Sequence, residues 1–314
     1  MLLRYRLQIP TLFVIAFITI PTHSQQQGLT NSADGLVMLS VTVRNGDGQS
    51  LTGLSREAFE LVDDKKIRTI EFFENADTPL SIGVLIDTSE SMRLFETRET
   101  TRAKPLGEAI SHLLQLGNAN NEYFLASFDK VPRFLTDWKN PTELLAQKTD
   151  IIEANRDTAL YDACLAALEK LTTAHHARRV LILISDGQDN VSHQTFVSLR
   201  QRLRDSDISL YAVGPVGPSD IGSSLGLEGA GILAELVETT GGEAFFPKNK
   251  KQLDAVMEQI ALELRHKYRL GFRSDKAEAS NKWHRLKVKI KLPPNSPAEF
   301  SKVIVRTRQG YYAH

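Results

Sequence analysis

The chain has 314 residues, of which 41% are hydrophobic and 24% charged, a composition typical of a globular protein with room for about two domains. Its 38 lysines and arginines balance its 38 aspartates and glutamates, so no excess of positive charge attracts a polyanion. Nucleic acid is therefore not an expected partner.

The first 24 residues have the pattern of a secretory signal peptide. Arg4 and Arg6 precede an apolar run at 12–20, and a polar stretch with a small residue at Ser24 follows. The run is shorter than the roughly 20 residues that a membrane-spanning helix needs, which favours cleavage after Ser24 over an uncleaved anchor. We expect an exported protein with no integral membrane segment in its mature chain.

The next part of the sequence predicts a small β segment. Residues 25–34 are polar and are expected to form a flexible N-terminal segment, and the β segment occupies 35–79. Turn residues separate its apolar runs. The predicted strands are 37–43, 59–62 and 67–73.

Between residues 80 and 266, apolar runs alternate with helical patterns. The runs are apolar throughout, which is typical of strands covered on both faces. Their alternation with helices predicts a Rossmann-like α/β fold with a doubly wound, mostly parallel sheet, whose ligands bind beyond the carboxyl ends of the strands. The predicted strands are 81–86, 123–128, 179–185, 208–213 and 243–246, and the predicted helices are 102–116, 159–173, 194–205, 230–239 and 251–266.

The C-terminal segment, residues 267–314, has a β pattern again. Neither this segment nor 35–79 contains enough strands to be stable alone, because an isolated hairpin is marginal in water. We therefore expect the two segments to pack together into one small β module that flanks the α/β domain.

Two of the predicted central strands end in aspartate, at Asp87 and Asp186. Beyond Asp87, serines alternate at Ser89 and Ser91, so a loop leaving the strand can turn three oxygens toward one point. Thr158 supplies another hydroxyl where a loop meets a predicted helix, although capping that helix is an alternative role for it. Carboxylates and hydroxyls are ligands for hard divalent cations, so these residues predict a metal site.

The stretches DTSES, DTALYDA and ISDGQDN resemble the three parts of the metal-ion-dependent adhesion site (MIDAS) of von Willebrand factor type A (VWA) domains. The resemblance covers residues 80–266 and implies Mg²⁺ as the bound metal, with Mn²⁺ or Ca²⁺ as alternatives. The flanking segments resemble those of a bacterial exported group of these domains, which implies a periplasmic or extracellular location. The metal ligands that the resemblance implies are Asp87, Ser89, Ser91, Thr158 and Asp186, with Glu90 and Gly187 at the ligand-binding rim.

In the VWA family, the metal completes its coordination with an aspartate or glutamate carboxylate of a partner. The resemblance thus implies a metal-dependent protein- or peptide-binding module, for adhesion or scaffolding, rather than an enzyme. The family usually has glycine at the position of Glu90. We expect this side chain to face solvent; facing inward, it would bind the metal or repel an acidic ligand.

Two other functions remain open. A phosphatase or phosphotransferase of the haloacid dehalogenase type would use Asp87 as its nucleophile. Its second aspartate, two residues on, serves as acid and base, and here that position is Ser89, whose hydroxyl does not titrate near neutral pH. The other possibility is a structural VWA domain with a vestigial site, although all five ligand positions carry suitable residues.

Overall fold

The computed structural model describes residues 36–89, 92, 103–147, 157–215, 223–274, 282–292 and 302–312. The predicted signal peptide, the segment 25–34 and the site residues Glu90 and Ser91 lie outside this part of the chain. The described strands are β1 (Leu36–Arg44), β2 (Phe59–Asp63), β3 (Lys66–Arg68), β4 (Phe72–Glu74), β5 (Ser81–Asp87), β6 (Glu122–Phe128), β7 (Pro132–Phe134), β8 (Arg179–Ile184), β9 (Ser209–Val213), β10 (Ala244–Phe245), β11 (Tyr268–Arg273), β12 (Trp283–Ile290), β13 (Ile304–Arg306) and β14 (Gly310–Tyr312). The described helices are α1 (Ala103–Leu116), α2 (Pro141–Ala146), α3 (Leu160–Thr172), α4 (Phe196–Asp205), α5 (Ser224–Thr240) and α6 (Lys250–Arg265).

A six-stranded central sheet has the order β10–β9–β8–β5–β6–β7 and is parallel except for the pairing of β6 with β7. Helices α1 and α6 pack on one face, and α3, α4 and α5 pack on the other. Because both faces are covered, all seven residues of β5 are buried. The predicted doubly wound, mostly parallel α/β fold is confirmed.

Two four-stranded antiparallel sheets flank the central one, in the orders β13–β1–β11–β4 and β14–β12–β2–β3. Each combines strands from both ends of the sequence: β1 pairs with β11, and β2 pairs with β12. The two sheets share one apolar core, which includes Val41, Leu61, Phe272 and Tyr311. The structure therefore contains the flanking β module that the fold prediction included, while the exact domain boundaries stay a prediction.

The predicted single strand at 67–73 is wrong. The chain forms β3 and β4 instead, and these belong to different sheets. Ile67 is 69% exposed, whereas Ile70, between the two strands, is 8% exposed and lies in the flanking core. Apolar residues spread over such a stretch do not distinguish one continuous strand from two short strands joined by a crossing between sheets.

Helix α5 begins six residues earlier than the predicted helix at 230–239. Ser223 caps it by accepting a hydrogen bond from the backbone N–H of Gly226 at 3.0 Å. The glycines of this segment lower its intrinsic helix propensity, which is why the predicted helix began only at residue 230. Within the described ranges, no helix has both the length and the apolar character needed to cross a membrane.

Candidate metal centre

Asp87 is the last residue of β5 and is 1% exposed. The register pairs Ile86 with Ile184 of the neighbouring strand β8, so Asp87 lies beside Ser185. The Ser185 hydroxyl donates a hydrogen bond to Asp87 Oδ2 at 2.7 Å, and the backbone N–H of Ser89 donates one to Oδ1 at 2.8 Å. These two bonds fix the carboxylate at the carboxyl edge of the sheet.

Burial raises the pKa of Asp87 from 3.8 to about 6. Hydrogen bonds from Ser89 and Ser185 lower this pKa, while the negative charge of Asp186 raises it further. The two carboxylates are therefore close enough to repel each other. Among the described residues, no lysine, arginine or histidine pairs with either of them. In the described part of the chain, the edge thus carries two acidic groups with no cationic side chain paired to them, an arrangement that a divalent cation would compensate.

The loop that carries Asp186 is locked against helix α5. Asp186 Oδ1 accepts a hydrogen bond from the backbone N–H of Gln188 at 3.0 Å, and the Gln188 side chain donates one to the carbonyl of Leu225 at 2.7 Å. Gly187 has a φ of 85°, which favours glycine, and a Cβ on it would lie 2.3 Å from the carbonyl oxygen of Gly229. The predicted rim residue Gly187 is therefore a position where the backbone of α5 approaches closely.

Thr158 is held against the same loop by backbone contacts. Its N–H donates to Asn190 Oδ1 at 2.8 Å, and its carbonyl accepts from the Asn190 N–H at 3.0 Å. Thr158 is not the cap of α3, because Ala159 occupies that position without a side-chain bond. Instead, Asp189 Oδ2 accepts from the backbone N–H of Tyr161 at 3.1 Å. The alternative role of Thr158 as a helix cap therefore does not apply.

The structure places the four described candidate ligands around the carboxyl ends of β5 and β8. Sequence reasoning missed three residues that position them: Ser185, Asp189 and Asn190. The sequence did contain a sign of such residues. The stretch ISDGQDN has several polar residues besides the proposed ligand Asp186, and these had no role in the prediction.

A second group of potential metal ligands lies in the flanking module. Asp63, Asp64 and His284 place ligand atoms within 4.8 Å of one another. However, Asp63 Oδ2 already accepts hydrogen bonds from Arg68 at 3.0 Å and from Tyr311 at 3.2 Å, and His284 Nδ1 lies 3.0 Å from Asp64 Oδ2. These contacts describe an ion-pair network in which the protein supplies the positive charge, and we assign no metal to it.

Residues 82–188 match the sequence model of a family described as the von Willebrand factor type A domain. The chain contains a von Willebrand factor type A domain. The matched segment begins in β5 and ends two residues after Asp186, so it spans both aspartate-bearing strand ends. The resemblance of this segment to VWA domains is thereby confirmed, while the metal ligands and the resemblance of the flanks stay predictions.

No curated protein matches the sequence. Solved structures to which the chain is similar include the vWF domain of the type V pili tip protein Mfa5 from Porphyromonas gingivalis, with 13% identity, a TM-score of 0.47, and coverage of 60% of this chain and 95% of that one. A von Willebrand factor type A protein from Catenulispora acidiphila has 10% identity, a TM-score of 0.47, and coverage of 89% and 75%. The conserved hypothetical protein BatB from Bacteroides thetaiotaomicron has 16% identity, a TM-score of 0.45, and coverage of 59% and 98%.

Proposed function

We propose that this VWA domain binds a divalent cation and, through it, a carboxylate of a protein or peptide partner. The observation that carries the proposal is the pair formed by Asp87 and Asp186, of which Asp87 is almost fully buried and lacks a cationic partner among the described residues. The proposed ligands are Asp87, Ser89, Ser91, Thr158 and Asp186. Oxygen ligands of this type suit Mg²⁺, with Mn²⁺ or Ca²⁺ as alternatives.

The charges of the proposed site favour a docking role over catalysis. Two carboxylates neutralise a divalent ion, and the remaining ligands are neutral hydroxyls, so the metal retains capacity for one more anionic oxygen. An acidic side chain of a partner supplies such an oxygen. Ser89 stands where a phosphatase would need a second aspartate, and a hydroxyl does not exchange protons usefully near neutral pH.

The proposed setting is outside the cytoplasm of a bacterium, in the periplasm or at the cell surface. The support is the basic, apolar and polar order of the first 24 residues, which is typical of a signal peptide. An exported VWA domain with a metal-dependent docking site would serve adhesion or act as a scaffold. N-terminal sequencing of the protein purified from its native envelope tests the proposed cleavage after Ser24.

Metal binding is the first test of this function. Asp87→Ala and Asp186→Ala should each weaken Mg²⁺ or Mn²⁺ binding by about two to three orders of magnitude, because a charge pair at about 4 Å is worth roughly 4 kcal/mol at an effective dielectric constant of about 20. Isothermal titration calorimetry measures the affinities, and circular dichroism verifies that each variant is folded.

Asp129→Asn is the matched control for these two variants. Asp129 is also a buried aspartate at the end of a central strand, but its carboxylate is paired with Arg133 at 2.8 Å. Its replacement should leave metal affinity unchanged. Unaltered affinity in both Asp87→Ala and Asp186→Ala would show that the metal site is wrongly assigned.

The partner can be identified by affinity capture that depends on the metal. Wild-type protein and Asp87→Ala are used as bait on native envelope extracts, with Mg²⁺ and with chelator. A partner of the proposed type is captured only by wild-type protein in the presence of Mg²⁺, and replacing its acidic residues with amides abolishes capture. Capture that is equal in all four conditions contradicts metal-mediated docking.

Glu90 stays a predicted rim residue that faces solvent. If so, Glu90→Gly should change metal affinity by less than about threefold, since no ligand is removed. A large loss of metal affinity, together with stronger binding of a carboxylate-bearing peptide, would show that Glu90 faces inward and occupies the partner's position. Calorimetry with Mg²⁺ and then with an acidic peptide separates the two cases.

A further inference from the structure

A small polar cavity lies at the opposite end of the central sheet from the proposed metal site. It occupies about 40 Å³ where the amino-terminal ends of β8 and β9 meet β1 and β11 of the flanking module. Among the described residues, five cationic side chains line it and one acidic side chain does, that of Asp207. The five are Arg178, Arg179, Lys267, Arg269 and Arg308.

Three of these cations are deeply buried, and their hydrogen bonds with other described residues all go to neutral groups. Lys267 is 3% exposed; its ammonium donates to Ser209 Oγ at 3.2 Å and lies 5.0 Å from the centre of the Tyr211 ring. Arg178, 7% exposed, donates to the backbone and hydroxyl of Thr78 and to a carbonyl of α6. Arg308, 8% exposed, donates to the backbone carbonyls of Gly310 and Arg204. Burial lowers the pKa of all three groups, that of Arg308 to about 10.

The neighbouring acids offset only part of this charge. Asp207 lies 3.8 Å from Arg179, and Glu74 pairs with Arg269 at 3.3 Å, which accounts for two of the five cations. The nearby Glu243 and Glu263 pair with Arg44 and Arg306, so these four residues contribute no net charge to the region. Helix α5 ends at the cavity wall, and its carbonyls contribute only about half a negative charge. Asp205 also acts on Arg308, whereas Asp77, which acts on Arg178, is paired with Arg265 at 2.6 Å. About two positive charges therefore remain uncompensated in the described part of this region.

Leaving such charges buried and unpaired destabilises the folded protein, because each ion has lost its hydration without gaining a counter-charge. Arginine does not escape the cost by losing its proton. The cavity offers room for a compensating ion, since a water molecule needs about 10–15 Å³ on the same measure and a tetrahedral oxyanion carries four oxygens. Guanidinium groups bind such oxygens through paired hydrogen bonds.

We propose that this cavity binds one small tetrahedral oxyanion, inorganic phosphate or sulfate, which joins the VWA domain to the flanking β module. The anion would lie between Lys267 and Arg269 next to β11 and the two arginines that precede or begin β8. This site is independent of the proposed metal site, because the two lie at opposite ends of the central strands.

The test is thermal unfolding of the purified protein at pH 7 in chelator, with phosphate or sulfate exchanged for chloride at constant ionic strength. Chelator removes any contribution from metal. We expect the midpoint of unfolding to rise with the logarithm of the phosphate or sulfate concentration. A wild-type protein that responds to phosphate and sulfate no more than to chloride overturns the proposal.

The variant Lys267→Met tests whether the anion binds in this cavity. The variant should lose at least tenfold in phosphate affinity and, in chloride alone, should unfold at a higher temperature than wild type because a buried charge is gone. Lys287→Met, which removes an exposed lysine of β12, should respond to phosphate as wild type does. Equal responses in Lys267→Met and wild type place the anion elsewhere and contradict the proposal. If Lys267→Met does not fold, Arg179→Gln at the edge of the cavity takes its place in the same comparison.

Discussion

In the absence of metal, Asp87→Asn should stabilise the protein by about 3 kcal/mol at pH 7 and have little effect near pH 4. The carboxylate has a pKa of about 6 in the folded protein, against 3.8 ordinarily, and burial is the largest cause. Each pKa unit corresponds to about 1.4 kcal/mol. Asparagine fills the same space, so its carbonyl can still accept from Ser89 and its amide can donate to the Ser185 hydroxyl.

The sign of the effect follows from where the protons are bound. Between about pH 4 and pH 6, Asp87 is protonated in the folded chain and ionised in the unfolded chain. The unfolded state then binds fewer protons, so the free energy of unfolding falls as the pH rises through this window. Asparagine carries no such proton, and the difference between variant and wild type should therefore grow from about pH 4 to a plateau above about pH 6.

Urea denaturation in chelator at several pH values measures this difference, with Asp129→Asn as the control. The pKa of Asp129 is lowered: burial is the largest single cause and raises it, but the hydrogen bond and charge of Arg133 together with backbone hydrogen bonds outweigh burial. Its amide variant should lose stability relative to wild type as the pH rises, the opposite sign. Mg²⁺ should stabilise wild-type protein at pH 7 and leave Asp87→Asn unaffected. A pH-independent effect of Asp87→Asn would mean that the carboxylate is not destabilised in the fold.

The central sheet was predictable because its strands are apolar on both faces. The strand ends at Asp87 and Asp186 were predictable for the same reason, since a polar residue directly after a buried run marks the carboxyl edge. The junction between β3 and β4 was not, because which sheet a short strand joins depends on partners about 200 residues away in the chain, such as Gly271 opposite Phe72. Local pattern carries no information about such pairing.

The site shows the same division between local and distant information. Its metal-ligand candidates were recognisable from residue type and order. The contacts that position them were not, because Asn190 meets Thr158 across 32 residues and Ser185 meets Asp87 across 98. The cationic cavity was equally hidden, since adjacent arginines before a strand are usually solvated. Arg178 is buried where the flanking module and α6 meet that end of the sheet.

The flanking module provides the last prediction, because it is assembled from both ends of the sequence. Deleting 274–314 removes β12, β13 and β14, and β2 then loses the strand that pairs with five of its residues. The deletion also removes Leu286, Val288 and Tyr311 from the shared core. At about 1.5–3 kcal/mol for each buried side chain, the module loses on the order of 5 kcal/mol, which is comparable to the whole stability of a small domain.

We therefore expect amide hydrogen exchange in residues 37–73 to accelerate strongly in the deleted protein, as measured by mass spectrometry. Strands β5 and β8 should remain protected, since their core is separate from that of the module. Unchanged protection in 37–73 would mean that the N-terminal segment is stable without its C-terminal partner.

A point variant gives the same test without removing Arg306 and Arg308 from the interface with the VWA domain. Tyr311 is fully buried; its ring lies 5.7 Å from Phe272 and stacks on His284 at 5.1 Å. Tyr311→Ala should cost about 3–5 kcal/mol, as large aromatic truncations in cores do. Tyr312, the next residue, is half-buried against Trp283, and Tyr312→Ala should cost clearly less. Faster exchange in β2 for Tyr311→Ala but not for Tyr312→Ala would locate the coupling in the shared core, whereas equal effects would contradict it.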